Sequence, residues 1–186
     1  MVQRIENRKN RYAEICKSNY KEGEQLENYT KYKLKSTDEL ASLLADKDNL
    51  FVIACNKCFK EFATVDEPDC DEFIKFAEEQ GKHITGSAKV DFLCNKTHTE
   101  KDLPDMIPEG AENIVVISCG LGIQTVAGIT GKSVIAASNS LNYRGHHGMA
   151  LTKKSCDACA QCYLNITGGV CPIVDCSKSL VNGQCG

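Results

Sequence analysis

Tryptophan is missing from the 186 residues, and phenylalanine and tyrosine contribute only six each. So few flat rings exclude the stacking platforms that hold single-stranded nucleic acid, and no nucleic-acid partner is expected. Long apolar runs are missing too. None approaches the roughly 20 residues that a membrane-spanning helix needs. The opening Met1-Val2-Gln3-Arg4-Ile5-Glu6-Asn7 has no apolar stretch of a secretory leader, so a cytoplasmic protein without a membrane span is the expectation. The length has room for one ordinary domain and a small appendage, but not for a TIM barrel of about 250 residues. A dinucleotide loop is also lacking. Gly120-Leu121-Gly122 has no third glycine, and no acidic residue about twenty positions on closes a later strand.

What the chain does have is cysteine, twelve in all, six of them in the last 31 residues. Cys156, Cys159, Cys162, Cys171, Cys176 and Cys185 read C-x2-C-x2-C-x8-C-P-x3-C-x8-C. Thiolate is a strong, soft ligand, and a CxxC turn presents two sulfurs to one metal centre. A third cysteine at the same interval before a later Cys-Pro resembles the bacterial ferredoxin run, although the gap before the fourth cysteine is longer here. A zinc ribbon more often uses two separated CxxC pairs. A disulfide scaffold requires an oxidising compartment, for which the chain shows no address.

Residues 1–35 carry nine Lys/Arg and five Asp/Glu, residues 36–110 eight and seventeen, and the remainder five and three. The basic leader interleaves its acids with its bases, as a solvated helix face does, and reads either as a docking arm for an acidic partner protein or as a frayed polar leader. Ile5, Tyr12, Ile15 and Cys16 form a weak helical stripe within it, with Cys16 a bystander. Ser36-Thr37-Asp38-Glu39 reads as a capping box that opens a short helix through Leu40, Leu43 and Leu44.

From there apolar runs alternate with amphipathic helices, which implies a parallel sheet. Strands are predicted at 50–54, 88–93, 114–118 and 133–137. Helices are predicted from near Asp69 to a stop at Gly81, and from Gly120 to a stop at Gly131. The stretch with Pro104 and Pro108 reads as a loop. The expected fold class is α/β: an open, mainly parallel Rossmann-like sheet (36–150) between the polar arm (1–35) and a Cys-rich segment (151–186). Three strands run into cysteine, the first at Cys55-Asn56-Lys57-Cys58 and the others at Cys94 and Cys119. Ligands of parallel α/β sheets bind outside the carboxyl ends of the strands, so these four sulfurs predict a second metal centre. The competing reading makes Cys94 and Cys119 core thiols and Cys55/Cys58 a redox pair. Gly120 and Gly122 are expected to let the backbone approach a cluster and to offer amide donors to it. Cys70 reads as a bystander, and His98, His146 and His147 as solvent or hydrogen-bonding residues. Lys153 and Lys154 would offset the negative charge of a thiolate-ligated group.

The tail pattern, with Gly169-Val170-Cys171-Pro172, Cys176-Ser177-Lys178 and Asn182-Gly183-Gln184-Cys185-Gly186, resembles the methylenetetrahydrofolate reductase C-terminal domain family. The likeness runs from about Leu50 to the end, and its last third is the specific part. It implies the small subunit that acetogenic bacteria keep beside a flavin-bearing reductase. The partner would be a TIM-barrel flavoprotein that reduces 5,10-methylenetetrahydrofolate to 5-methyltetrahydrofolate in the reductive acetyl-CoA pathway. Electrons from ferredoxin or another carrier would pass through one or two 4Fe–4S clusters to a flavin held by the partner alone. Cys156, Cys159 and Cys162 would be ligands, with Cys171 or Cys176 as fourth. Zinc is the alternative metal, and Cys185 either a ligand to it or a packing residue. A zinc-stabilised scaffold without redox role and an independent zinc enzyme are the rival functions.

Overall fold

The computed structural model describes residues 30–56, 70–143 and 156–181. Cys16, Cys58, Cys185, His146, His147, Lys153 and Lys154, with most of the basic arm, lie outside those residues. Six strands and five helices follow in chain order. They are β1 (Thr30–Leu34), α1 (Thr37–Leu44), β2 (Leu50–Cys55), α2 (Cys70–Glu79), β3 (Ile84–Val90) and α3 (Lys96–Met106). Then come β4 (Asn113–Ile117), α4 (Gly120–Thr130), β5 (Ser133–Ala136), β6 (Ser138–Tyr143) and the single turn α5 (Pro172–Asp175).

β2 is apolar at every position because both faces of its sheet are covered. Leu50, Val52 and Ala54 point with Val115 and Ile117 of β4 into one half of the core, against Leu40, Leu44, Phe73 and Ala77 of α1 and α2. Phe51 and Ile53 point with Ile114 and Val116 into the other half, against Leu103, Ile123 and Val126 of α3 and α4. Period-two side chains on a strand dictate this division, and a one-residue slip would exchange the halves. The four strands pair in parallel in the order β3-β2-β4-β5. Counted from the first parallel strand this is the 2-1-3-4 order of flavodoxin-like sheets, with a switch point between β2 and β4. The expected α/β parallel architecture is therefore present.

Local signals account for several boundaries. Ser36 caps α1 by accepting the Glu39 amide at 3.3 Å, the first half of the expected capping box. The Glu39 carboxylate is engaged elsewhere, with the Lys35 ammonium. α2 ends in a Schellman turn at Gly81 (φ +75°), where Lys82 N–H donates to Ala77 and Gly81 N–H to Glu78. Gly131 (φ +60°) stops α4.

Three expectations need correction. The second parallel strand is Ile84–Val90 rather than 88–93, so Cys94 lies in a turn beyond it. Gly86 inside this strand faces the Phe51 ring, which hides the strand's start from a reading by branched residues. The stretch around Pro104 is a helix, not a loop. Its first turn is capped by Asn95, and fully buried Thr99 and Leu103 dock it, so tertiary packing outweighs the lost backbone bond. Residues 30–34, counted with the polar arm, form β1, antiparallel to β6. Thr30 and Tyr32 face inward between Lys31 and Lys33, an alternation masked by the lysines.

The β1–β6 ribbon crosses the carboxyl end of β4. Ser138 Oγ accepts the Ser118 amide at 3.0 Å and donates to the Ser118 carbonyl at 2.6 Å, and Ser140 Oγ accepts the Gly120 amide at 2.7 Å. Beneath this latch Gly122 has no room for a side chain. A Cβ there would stand 2.3 Å from Ser118 Oγ and 3.0 Å from Leu93 Cβ. Gly122→Ala is therefore expected to destabilise by about 1–2 kcal/mol net, the overpacking outweighing the helix propensity that alanine gains. Adding Ser118→Ala removes the closest clash and should recover part of the loss, read from denaturant midpoints of the two variants.

Candidate metal centre

Two groups of thiols stand at the carboxyl edge of the sheet. The first flanks the switch point. Cys55 is the last residue of β2, Cys119 caps α4 just beyond β4, and Cys94 closes the turn after β3. Asn56 ties the β2 and β3 ends together, its N–H donating to Val90 at 2.9 Å and its Nδ2 to Asp91 Oδ1 at 3.0 Å. From the ribbon above, the Tyr32 hydroxyl donates to the Cys55 carbonyl at 3.1 Å. The three thiols lie within one another's fields. Burial pushes Cys94 up to about 11, and a negative charge on Cys55 adds to the rise. Burial pushes the Cys119 thiol higher still, with Cys55 and Cys94 adding, while the Gly122 and Leu121 amides at the α4 N-terminus pull it partly back.

The second group belongs to the tail. Cys156, Cys159, Cys162 and Cys171 line one open recess. Left-handed backbone at Ala158 (φ +49°) and Ala160 (φ +58°) turns the chain on either side of Cys159 and brings three successive sulfurs around that recess. Such conformations cost a non-glycine residue of order 1 kcal/mol each, and the surrounding contacts hold them. Ala160 N–H donates to the Ser140 carbonyl and Cys162 N–H to Asn139 Oδ1, both at 3.0 Å. Asn165 pairs with the free edge of β5, accepting the Ala136 amide at 2.6 Å and donating to its carbonyl at 3.0 Å. Leu164 and Ile173 are buried beneath.

Cys171 caps α5 with Pro172 at the first helical position, where the missing N–H costs nothing. Burial raises Cys171, and the Val174 and Ile173 amides pull it back. Burial also raises Cys159, and it lifts Cys162 to about 11 against an opposing pull from Lys35. At the far end of α5, Cys176 is held below the usual thiol range by the amides of Leu180 and Lys178, and it is not part of the recess wall.

Gly120 joins the two groups, following Cys119 and lining the recess. Its amide already serves Ser140, whereas the Gly122 and Leu121 amides act on Cys119. Cys70 is buried in the core. His98 is exposed and faces Asp102 at 3.0 Å rather than Cys94. Lys35, Asn139, Ser140 and Asn165 position the site, and sequence reading missed them. Their only signal was a polar Ser138-Asn139-Ser140 run where an apolar strand ends.

Among the described residues no three thiol, imidazole or carboxylate groups gather tightly enough for one metal ion. Zinc bound tetrahedrally at about 2.3 Å draws its sulfurs to roughly 3.8 Å from one another. In an iron–sulfur cluster each cysteine holds its own iron, so its sulfurs stand farther apart around a larger group. Four thiols on the wall of one recess are donors of the chemical type that either group takes. Among the described residues no helix is long and apolar enough to cross a membrane.

The raised thiols give the metal-free fold a pH signature. Folded values near 11 for Cys94 and Cys162 lie above the about 8.5 of an unfolded cysteine, so protonation favours the fold. Their contribution is complete below about pH 8.5 and is lost as pH rises through 11. Denaturant midpoints of metal-free protein are expected to fall over that window, and Cys162→Ala to flatten part of the fall. Brief alkylation at neutral pH should label Cys176 first, and the buried Cys70 and Cys119 only after it, among the nine described cysteines, as peptide mapping would show.

No curated protein and no solved structure matches the chain significantly. Residues 135–186, which span β6, the recess cysteines and α5, match the model of the family described as Methylene-tetrahydrofolate reductase C terminal.

Proposed function

We propose that the chain is an electron-transfer and assembly subunit of a methylenetetrahydrofolate reductase. Four cysteines of the matched domain share one recess, and this observation carries the reading. Cys156, Cys159, Cys162 and Cys171 would hold a 4Fe–4S cluster. Cys55, Cys94 and Cys119, joined by Cys58 from outside the described residues, would hold a second. A cluster of this kind supplies one-electron storage when bound.

The chain's own residues supply the setting. Raised thiols remain protonated until a cation displaces the proton, so loading releases protons and strengthens with pH. The α4 and α5 amides face Cys119 and Cys171, where they would stabilise negative sulfur. Cys119 and Gly120 are consecutive, which puts the two thiol groups side by side. The hydride chemistry belongs to the partner's flavin. Reducing a methylene to a methyl group takes two electrons and two protons, here two successive one-electron deliveries from ferredoxin or another carrier protein, with both protons drawn from solvent, one of them passing on as part of the flavin's hydride.

Anaerobically purified protein is expected to be brown, rich in iron, and to give a paramagnetic signal after dithionite reduction. Cys171→Ser should remove one cluster signal and about half of the iron, whereas Cys176→Ser should keep both. Colourless, zinc-rich wild-type protein would overturn the relay in favour of a scaffold. Iron content equal in Cys171→Ser and wild type would overturn the ligand set.

A further inference from the structure

Lys35 is the only charged residue buried among the described residues. Taking an ammonium out of water costs several kcal/mol unless its neighbours compensate. Among the described residues one carboxylate does so, that of Glu39, whose side chain is 46% exposed and therefore screened by water. The other partner is neutral: Nζ donates to Asn139 Oδ1 at 3.0 Å. A third N–H of the ammonium has no partner among the described residues. The burial is not incidental to one loop, because Lys35 follows β1, its own amide donates to the Ala137 carbonyl at 2.9 Å, and Ser36 opens α1 beside it.

The same Asn139 oxygen accepts the Cys162 amide at 3.0 Å. The Lys35 ammonium and the Cys162 amide nitrogen, each 3.0 Å from that atom, are therefore no more than about 6 Å apart. Cys156 and Cys159 burden Cys162 with like charge, and Lys35 is the cation that opposes them. A half-neutralised ammonium is thus locked beside the wall that carries four thiols. We propose that Lys35 sets the reduction potential of the group held in the tail recess, its charge favouring the more negative, reduced state. This rests on reading the recess as an iron–sulfur site. Net charge close to such a group is one of the levers on its potential, and a buried charge is screened far less than a surface one.

Potentiometric titration of the anaerobic full-length chain, followed by paramagnetic resonance, tests the assignment. Lys35→Met is expected to lower the potential of the tail signal about tenfold in equilibrium constant, about 59 mV for one electron. Glu39→Gln, which removes the counterion and keeps the lysine, is expected to raise it, and Lys35→Arg to leave it near the wild-type value. Iron content stays constant throughout. The second signal is expected to shift less, because Lys35 is not among the charges that act on Cys94. Opposite signs from two adjacent substitutions are what a merely structural role would not produce. Equal potentials in wild type, Lys35→Met and Glu39→Gln, or shifts of one sign, would overturn the role of Lys35 and leave the cluster intact. Should Lys35→Met fail to fold, the sign of the Glu39→Gln shift decides alone. Wild-type protein without iron would instead overturn the reading of the recess itself.

Discussion

β2 is hydrogen-bonded on both sides, to β3 from Leu50↔Ile84 to Cys55↔Val90 and to β4 from Leu50↔Asn113 to Ala54↔Ile117. Both pairings are parallel, so three chain segments that leave the sheet must leave it at the same edge. Every feature of the site follows from that constraint. Cys55, the Cys94 turn and Cys119 converge because their strands end together, and the switch point opens a crevice there. The β1–β6 ribbon then has a defined place, across the β4 end, where Ser138 and Ser140 take up amides that the end of the strand and the start of α4 leave unpaired. The tail, in turn, is docked on that ribbon and on the β5 edge.

Burial and charge pull against one another along this edge. Apolar walls raise Cys94, Cys119 and Cys162, which keeps the thiols neutral without a cation. Backbone amides at all three, and Lys35 at Cys162, pull the other way and lose to desolvation. Cys176 shows the balance reversed, since there the amides act without burial. An edge arranged in this way holds its thiols neutral, and under the proposed function it would become a donor set once a cation offset the thiolate charge.

Much of this was legible from the residues. The fully apolar β2 and β4 declared strands covered on both faces, and Ser36, Gly81 and Gly131 marked helix ends by local chemistry. The cysteine spacing singled out the tail, where four of its sulfurs line one recess. β1, the true start of β3 and α3 were not legible. The lysines of β1 hide its alternation, Gly86 interrupts β3, and Pro104 argues against a helix that Thr99 and Leu103 hold only through contacts with distant segments. Lys35 read as one more charge in a basic arm, because nothing local distinguishes a lysine that will be buried.

Spacing along the chain thus determined which sulfurs could share a centre, since CxxC turns and strand ends are local properties. Only the tertiary structure decided that Cys171 joins the recess while Cys176 faces away, and that Lys35 and Cys162 meet at one oxygen of Asn139. Those relations depend on parallel register and on the docking of segments more than a hundred residues apart, and no local pattern encodes a distance of that kind.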